Sequence, residues 1–306
     1  MRSYESLLGE LAQIDPRVVV LPAENRSAIR SLPAILGERF VDVGIAEQTL
    51  VGMSAGLALR GRIPVAHSLA TFLTMRAFEF IRTDVGIPGL PVKLVGSVPG
   101  FLSEANGPTH QALEDVALMR GIPGVRVFAP ADDQDLLLGL PRVLADPAPW
   151  YVRFNSRRAV VSHAAFSLGR AEVVSEGRDV AILTYGVLFE QAVEAARLLS
   201  EDGVSVTLLN MRTLEPFDEE AVLEAARSTG FLVTLEDHFE RGGLYTIVCE
   251  LLVRRRLSPV VVPFSLSARW FAPGLFDDVL RAEGFRGDQI AGRVRRCLSV
   301  RAGRKP

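Results

Sequence analysis

Arg39-Phe40-Val41-Asp42-Val43-Gly44-Ile45-Ala46-Glu47-Gln48 opens the stretch that decides how this chain is read. It continues through Ala70-Thr71-Phe72-Leu73-Thr74-Met75-Arg76-Ala77-Phe78 and ends on Asn106-Gly107-Pro108-Thr109-His110-Gln111. The β-branched run before Gly44 predicts a strand and a turn. The small and apolar residues over 47–59 predict a helix that begins at the Glu47 carboxylate. Phe72, Met75 and Phe78, spaced i, i+3, i+6, predict one face of a second helix over 72–84. His110 falls on a Gly-Pro loop, where functional residues concentrate. As chemistry, the stretch offers one carboxylate, one apolar wall and one histidine whose ordinary pKa suits proton exchange near neutrality.

Outward from that stretch, short apolar runs alternate with helical patterns. Residues 18–21, 40–44, 63–66, 92–95, 125–130 and 151–154 predict strands, and 179–183, 205–209, 231–235 and 259–263 predict a second set. Helices are expected over 3–14, 112–120 and 132–140 in the first half, and over 189–199, 219–226, 244–254, 275–283 and 288–298 in the second. The alternation predicts α/β architecture in two domains. The first, residues 1–157, should hold a parallel, doubly wound sheet. A linker is expected over 158–172, where periodicity weakens, and a mostly parallel domain over 173–306.

The composition narrows the function. The chain has 306 residues, 48% hydrophobic and 23% charged, with a formal net charge of −2. That balance gives no electrostatic case for nucleic acid or a membrane surface. Arg254, Arg255 and Arg256 read as a solvated helix end. No apolar run approaches the ~20 residues that span a bilayer, and no secretory signal pattern follows Met1. Cys249 and Cys297 lack a partner at metal-ligand spacing, so buried free thiols in a reducing cytoplasm are expected. Dinucleotide-binding, Walker A, zinc-protease and serine-hydrolase signatures are missing.

Each candidate also has a plainer reading. Glu47 alone is a carboxylate favoured by a helix N-terminus. The Phe72, Met75, Phe78 stripe alone is a core face. His67 follows a predicted strand end, where an α/β sheet places its ligand crevice. His163 in the linker and His238 beside Glu236 and Asp237 read as structural or surface residues.

Taken together, the motifs resemble the transketolase family and its relative 1-deoxy-xylulose-5-phosphate synthase. Residues 42–48 are similar to the family's catalytic-glutamate segment, and 106–111 to its D-G-P-T-H-Q segment. Residues 117–123 and Glu236-Asp237-His238 extend the likeness over nearly the whole chain. The resemblance implies a thiamine-enzyme pyrimidine-binding domain followed by a transketolase C-terminal domain. It implies that Glu47 meets the cofactor's aminopyrimidine, that Phe72, Met75 and Phe78 pack on it, and that Glu24 reaches it. It further implies that His110, Asn106, Arg153 and Arg2 meet substrate, with Arg153 on a phosphate; His67 joins the substrate candidates from its place after a strand end alone.

No Gly-Asp-Gly followed by Asn is present to hold a metal and diphosphate. The resemblance therefore implies one subunit of a split transketolase. Its partner would hold the diphosphate and Mg²⁺ in an α2β2 assembly, and no metal would sit on this chain. The expected reaction moves a two-carbon ketol unit from a ketose to an aldehyde. Asn106, Val98, Pro99 and Ala28 depart from the family's polar and cationic choices, which points to an unphosphorylated or otherwise unusual acceptor. Three alternatives stand beside this reading: a decarboxylating synthase-like ligase, a 2-oxoacid dehydrogenase β subunit, and a non-catalytic half that binds a partner.

Overall fold

The structure, a computed structural model, describes residues 2–303. Eleven strands among them form two sheets: β1 Val18–Pro22, β2 Ile63–Leu69, β3 Lys93–Ser97, β4 Arg126–Phe128, β5 Trp150–Arg153, β6 Glu172–Ser175, β7 Val180–Thr184, β8 Val206–Asn210, β9 Thr213–Glu215, β10 Phe231–Phe239 and β11 Val260–Leu266. The first sheet runs β1-β2-β3-β5-β4-β9 and the second β11-β10-β7-β8-β6. All pairings are parallel except β4 with β9 and β6 with β8.

Side-chain alternation explains why the strands read as continuous apolar runs. In β1, Val19 and Leu21 face one core, while Val18 and Val20 face another. In β7, Ala181 and Leu183 join the same core as Val19, and Val180 and Ile182 face a third. One apolar core is thus shared between the two sheets, and each sheet has its own on the far side.

The sequence reading needs three corrections here. First, residues 40–44 form no regular strand. Val41 and Val43 donate N–H bonds of 3.0 Å to Val20 and Pro22, but only a Val20–Phe40 bridge results. The Asp42 carboxylate accepts the Gly44 N–H at 2.8 Å and turns the chain away. Second, β9 was not anticipated: it lies in the second half of the chain yet closes the edge of the first sheet. Third, 72–84 is no uniform α-helix. Phe72–Arg76 and Ile81–Gly86 are π-turns around a short α segment, Phe78–Phe80. The altered turn breaks the i, i+3, i+6 face.

The segment expected as a linker is tied down. The His163 side chain lies 2.7 Å from both Asp132 and Glu172. Arg212 is paired with Asp135 at 2.8 Å and Glu172 at 2.9 Å. Burial acts to lower the His163 pKa, but the two carboxylate hydrogen bonds outweigh it and push it up to about 10. Burial acts to raise Glu172, but its bonds from His163, Asn210 and Ala164 hold it at about 2. Cys249 and Cys297 are free but only partly buried. Arg254 and Arg255 both pair with Glu219 at a solvated helix end. Among the described residues, no helix is long and apolar enough to cross a membrane, and no cluster of three His, Cys, Asp or Glu is placed to hold a metal.

Candidate active site

Glu47 begins the helix Glu47–Leu59 directly after the Gly44 turn, which has a positive φ of 71°. Only 2% of the residue is exposed. A buried carboxylate needs donors, and two side chains supply them. The Ser68 hydroxyl donates to Oε1 at 3.3 Å, and Arg76 Nη1 donates to Oε2 at 2.9 Å. The Arg76 guanidinium lies over the Phe72 ring, 4.3 Å from its centroid. On another side, Phe72 meets the His110 ring edge-on at 5.1 Å. His110 is half-buried on the turn closed by its own N–H bond to Gly107 O at 3.0 Å, with Nδ1 2.9 Å from the Thr109 hydroxyl. The structure thus links Glu47, Arg76, Phe72 and His110 from three separate stretches of sequence.

Glu47, Ser68 and Phe72 line a cleft of about 480 Å³ together with Glu24, Arg26 and Ser27. A second cleft of about 530 Å³ shares Ser27 and is lined by Tyr4, Ser97, Val98, Ser156 and Arg157. Both lie where the parallel strands β1, β2, β3 and β5 end, the region in which open α/β sheets bind their ligands.

The other expected site residues fall in several places. Glu24 is exposed at the first cleft with φ 62°. Phe78 packs on the shared core. Met75 is exposed on the π-turn, its sulfur 3.7 Å from the Thr71 hydroxyl. Asn106 is exposed and lines neither cleft. Arg2 is exposed and ion-paired with Glu10, beside cleft-lining Ser3 and Tyr4.

Two expectations need correcting. His67 does not line either cleft: it is buried behind Tyr4, whose hydroxyl lies 3.2 Å from Nε2, and burial depresses its pKa to about 3. Arg153 was expected on a substrate phosphate. It is 1% exposed, with Nε on Asp115 at 2.8 Å and Nη1 on Asp237 at 2.5 Å. Its fork is used inside the protein, so a phosphate would have to displace a buried carboxylate. Arg157, four residues on, does line the second cleft, and it was not among the residues expected from the sequence. Its only signal was its position just past the carboxyl end of β5. Arg76 and Ser68 were also missed.

The aminopyrimidine half of a thiamine cofactor fits this geometry: a covered carboxylate for ring nitrogens, a half-buried aromatic face and room beside both.

Comparisons with known proteins agree. Residues 2–160 match the family model "Transketolase, pyrimidine binding domain", and 169–290 match "Transketolase, C-terminal domain". The chain is 41% identical over 255 residues to a protein of Clostridium sp. (strain MSTE9) described as 6-deoxy-6-sulfo-D-fructose transketolase subunit SqwH, covering 82% of this chain and 79% of that one. It is 32% identical over 312 residues to the 1-deoxy-D-xylulose-5-phosphate synthase of Synechococcus sp. (strain JA-2-3B'a(2-13)), but spans only 48% of that protein's length. Among solved structures, "Split gene transketolase, inactive beta4 tetramer" superimposes with a TM-score of 0.88 at 35% identity and covers 97% of both chains. From motif, fold and relatives alike, this chain belongs to the transketolase family.

Proposed function

We propose that this chain is the pyrimidine-binding subunit of a thiamine-diphosphate-dependent transketolase, moving a two-carbon ketol unit from a ketose donor to an aldehyde acceptor. The single observation that carries the reading is the buried Glu47 carboxylate at a cleft that Phe72 also lines, with His110 edge-on to that ring. When bound, thiamine diphosphate supplies the electron sink for breaking and making the carbon–carbon bond. Glu47 exchanges a proton with the pyrimidine N1′ from a position shielded from water. Phe72 gives the ring a flat wall, Met75 adds to it from the same π-turn, and Phe78 supports the turn from the shared core. His110 exchanges protons with substrate hydroxyls, Glu24 borders the first cleft, and Asn106 lies on the loop that leads to His110. The division into 1–157, 158–172 and 173–306 belongs to this proposal.

A partner subunit holding the diphosphate and Mg²⁺ completes the site in an α2β2 assembly in the cytoplasm. Ile45, Met53, Met75, Phe80 and Ile87, all within 45–87 and all exposed, support a subunit contact beside Glu47. The solved relative titled an inactive β4 tetramer supports the need for a second gene product.

Among the described residues, Arg157 is the only cation lining the second cleft, which Glu5 also lines, and it already meets Glu190 at 3.1 Å. A single, partly satisfied guanidinium suits a monoanion better than a phosphate dianion. Together with the relative named for sulfofructose, this supports a ketose donor ending in a sulfonate. The acceptor is an aldehyde outside the usual sugar phosphates, in line with Val98, Pro99 and Ala28.

The test is to co-express the chain with a diphosphate-binding subunit and follow ketol transfer with and without thiamine diphosphate. Activity should require both genes and the cofactor, and should be lost in Glu47→Ala. Turnover by this chain alone, or full activity of the Ala variant, would defeat the proposal.

A further inference from the structure

The Arg76 guanidinium is flat, carries N–H donors and rests on the face of Phe72, 4.3 Å from the ring centroid. It also donates to Glu47 Oε2 at 2.9 Å. The pyrimidine ring would use the same two groups: the face of Phe72 and, at its N1′, the Glu47 carboxyl. We propose that Arg76 is a resident stand-in for that ring, occupying the site in the free chain and swinging aside when the cofactor's pyrimidine enters. The idea rests on the reading of the cleft given above.

The physical reason lies in Glu47. An empty site would leave a carboxylate with 2% exposure and only the 3.3 Å Ser68 bond, which is costly for a buried charge. Arg76 meets that need from outside. Its side chain is 43% exposed, and the long stem lets the head move into water without disturbing the core. Among the described residues, no side chain besides Glu47 and Phe72 pairs with Arg76. Four positions apart on the Phe72–Arg76 π-turn, the two residues are brought together by the backbone itself.

The stand-in weakens pyrimidine affinity by the fraction of time it occupies the site. A half-exposed ion pair and a cation–π stack together set that competition at about tenfold. Arg76 is therefore a positioning residue: it keeps Glu47 paired and oriented until the ring replaces it.

The experiment titrates 4-amino-5-hydroxymethyl-2-methylpyrimidine onto the full chain by calorimetry, and thiamine diphosphate onto its complex with the partner subunit. Wild type, Arg76→Ala, Glu47→Ala and the double variant are compared, with folding checked by circular dichroism. Arg76→Ala should bind both probes about tenfold more tightly. Millimolar guanidinium chloride, far below denaturing levels, should compete with the pyrimidine in Arg76→Ala but barely change wild type. Equal or weaker binding by Arg76→Ala, or no guanidinium competition, overturns the stand-in while leaving the cleft assignment intact. If the double variant binds as tightly as Arg76→Ala, or no form binds either probe, the cleft assignment itself fails and the stand-in falls with it.

Discussion

Arg153 and Asp237 meet across the two domains, Nη1 to Oδ1 at 2.5 Å, with both side chains at most 1% exposed. Arg153 comes from the last residue of β5 and Asp237 from within β10, so the contact locks one sheet to the other. Asp115 receives the same guanidinium through Nε and also accepts the Tyr151 hydroxyl at 2.6 Å. Burial raises the Asp237 pKa, and the Arg153 charge and hydrogen bond act against that rise.

Removing one partner of a buried pair strands the other. Arg153→Met should destabilise the chain by about 3–5 kcal/mol, lowering Tm by roughly 10 °C. Arg157→Ala should do the reverse. It should leave Tm almost unchanged and raise KM for an anionic donor about tenfold or more, the value of a charge-assisted hydrogen bond. Thermal melts and steady-state kinetics on both variants separate the two arginines. A selective KM effect from Arg153→Met would reinstate it as the substrate residue.

Glu47→Gln keeps one oxygen to accept from Arg76 and offers an NH2 that can donate to the Ser68 hydroxyl, but it cannot exchange a proton at neutral pH. It should lower kcat of the assembled enzyme by about 10²–10⁴-fold, the usual contribution of general acid–base groups. Thermal stability should fall little, since the ion pair it breaks is half-exposed at Arg76. Stopped-flow or coupled assays on the complex check this.

The His163 cluster predicts how stability depends on pH. His163 is raised to about 10, so its contribution is complete below the unfolded value near 6.5 and is lost as pH climbs towards 10. Glu172 is held at about 2, so its contribution is complete above about 4.5 and is lost as pH falls towards 2. Glu236 is pushed up to about 8 by burial, despite N–H donors from Leu244 and Tyr245, so it lowers stability as pH rises from about 4.5 to 8. Denaturant melts should therefore peak near pH 4.5, where the gain from Glu172 ends and the loss from Glu236 begins, and decline on both sides. His163→Gln should flatten the alkaline decline; an unchanged alkaline limb would remove His163 as its cause.

How much was visible beforehand depended on how local each feature is. Strands such as β1, β7 and β10 were readable because both of their faces are covered, which leaves unbroken apolar runs. Glu47, Phe72 and His110 stood out because each sits in a compact motif. Arg153 and Arg157 could not be told apart, because Arg153 is claimed by Asp115 and Asp237, 38 and 84 positions away, and Arg157 by Glu190, 33 positions away. The π-turn at Phe72–Arg76 shifts a few hydrogen bonds by one residue and leaves no periodic trace. The His163 cluster draws on Asp132, Asp135, Glu172 and Arg212, and its short connecting strands β6 and β9 carry too few residues to show a pattern.

Gly100 joins the domain contact to the site. Its φ is 56°, and a Cβ there would come 2.5 Å from the Asp237 carboxyl carbon and 2.9 Å from Arg153 Nη2. It opens the turn Gly100–Asn106, which leads through Gly107 to His110, and its N–H is held by Ala112 O at 3.0 Å. Further along, the Phe276 N–H donates to Glu104 at 3.4 Å, and a Cβ on Gly107 would press on Pro273 at 3.0 Å. The loop carrying His110 is thus seated on the second domain at several points. Gly100→Ala should cost well over the ~1–2 kcal/mol of left-handed strain alone, because the methyl also has to part a buried ion pair. Gly124→Ala is the control: it has φ 83° and open space around its Cβ, so it should show the strain by itself. If the loop is coupled to the domain contact, Gly100→Ala should also lower kcat of the complex through a displaced His110, whereas Gly124→Ala should not. Equal Tm losses for the two variants would mean that Asp237 and Arg153 yield without resistance, and that the His110 loop is positioned by something other than this junction.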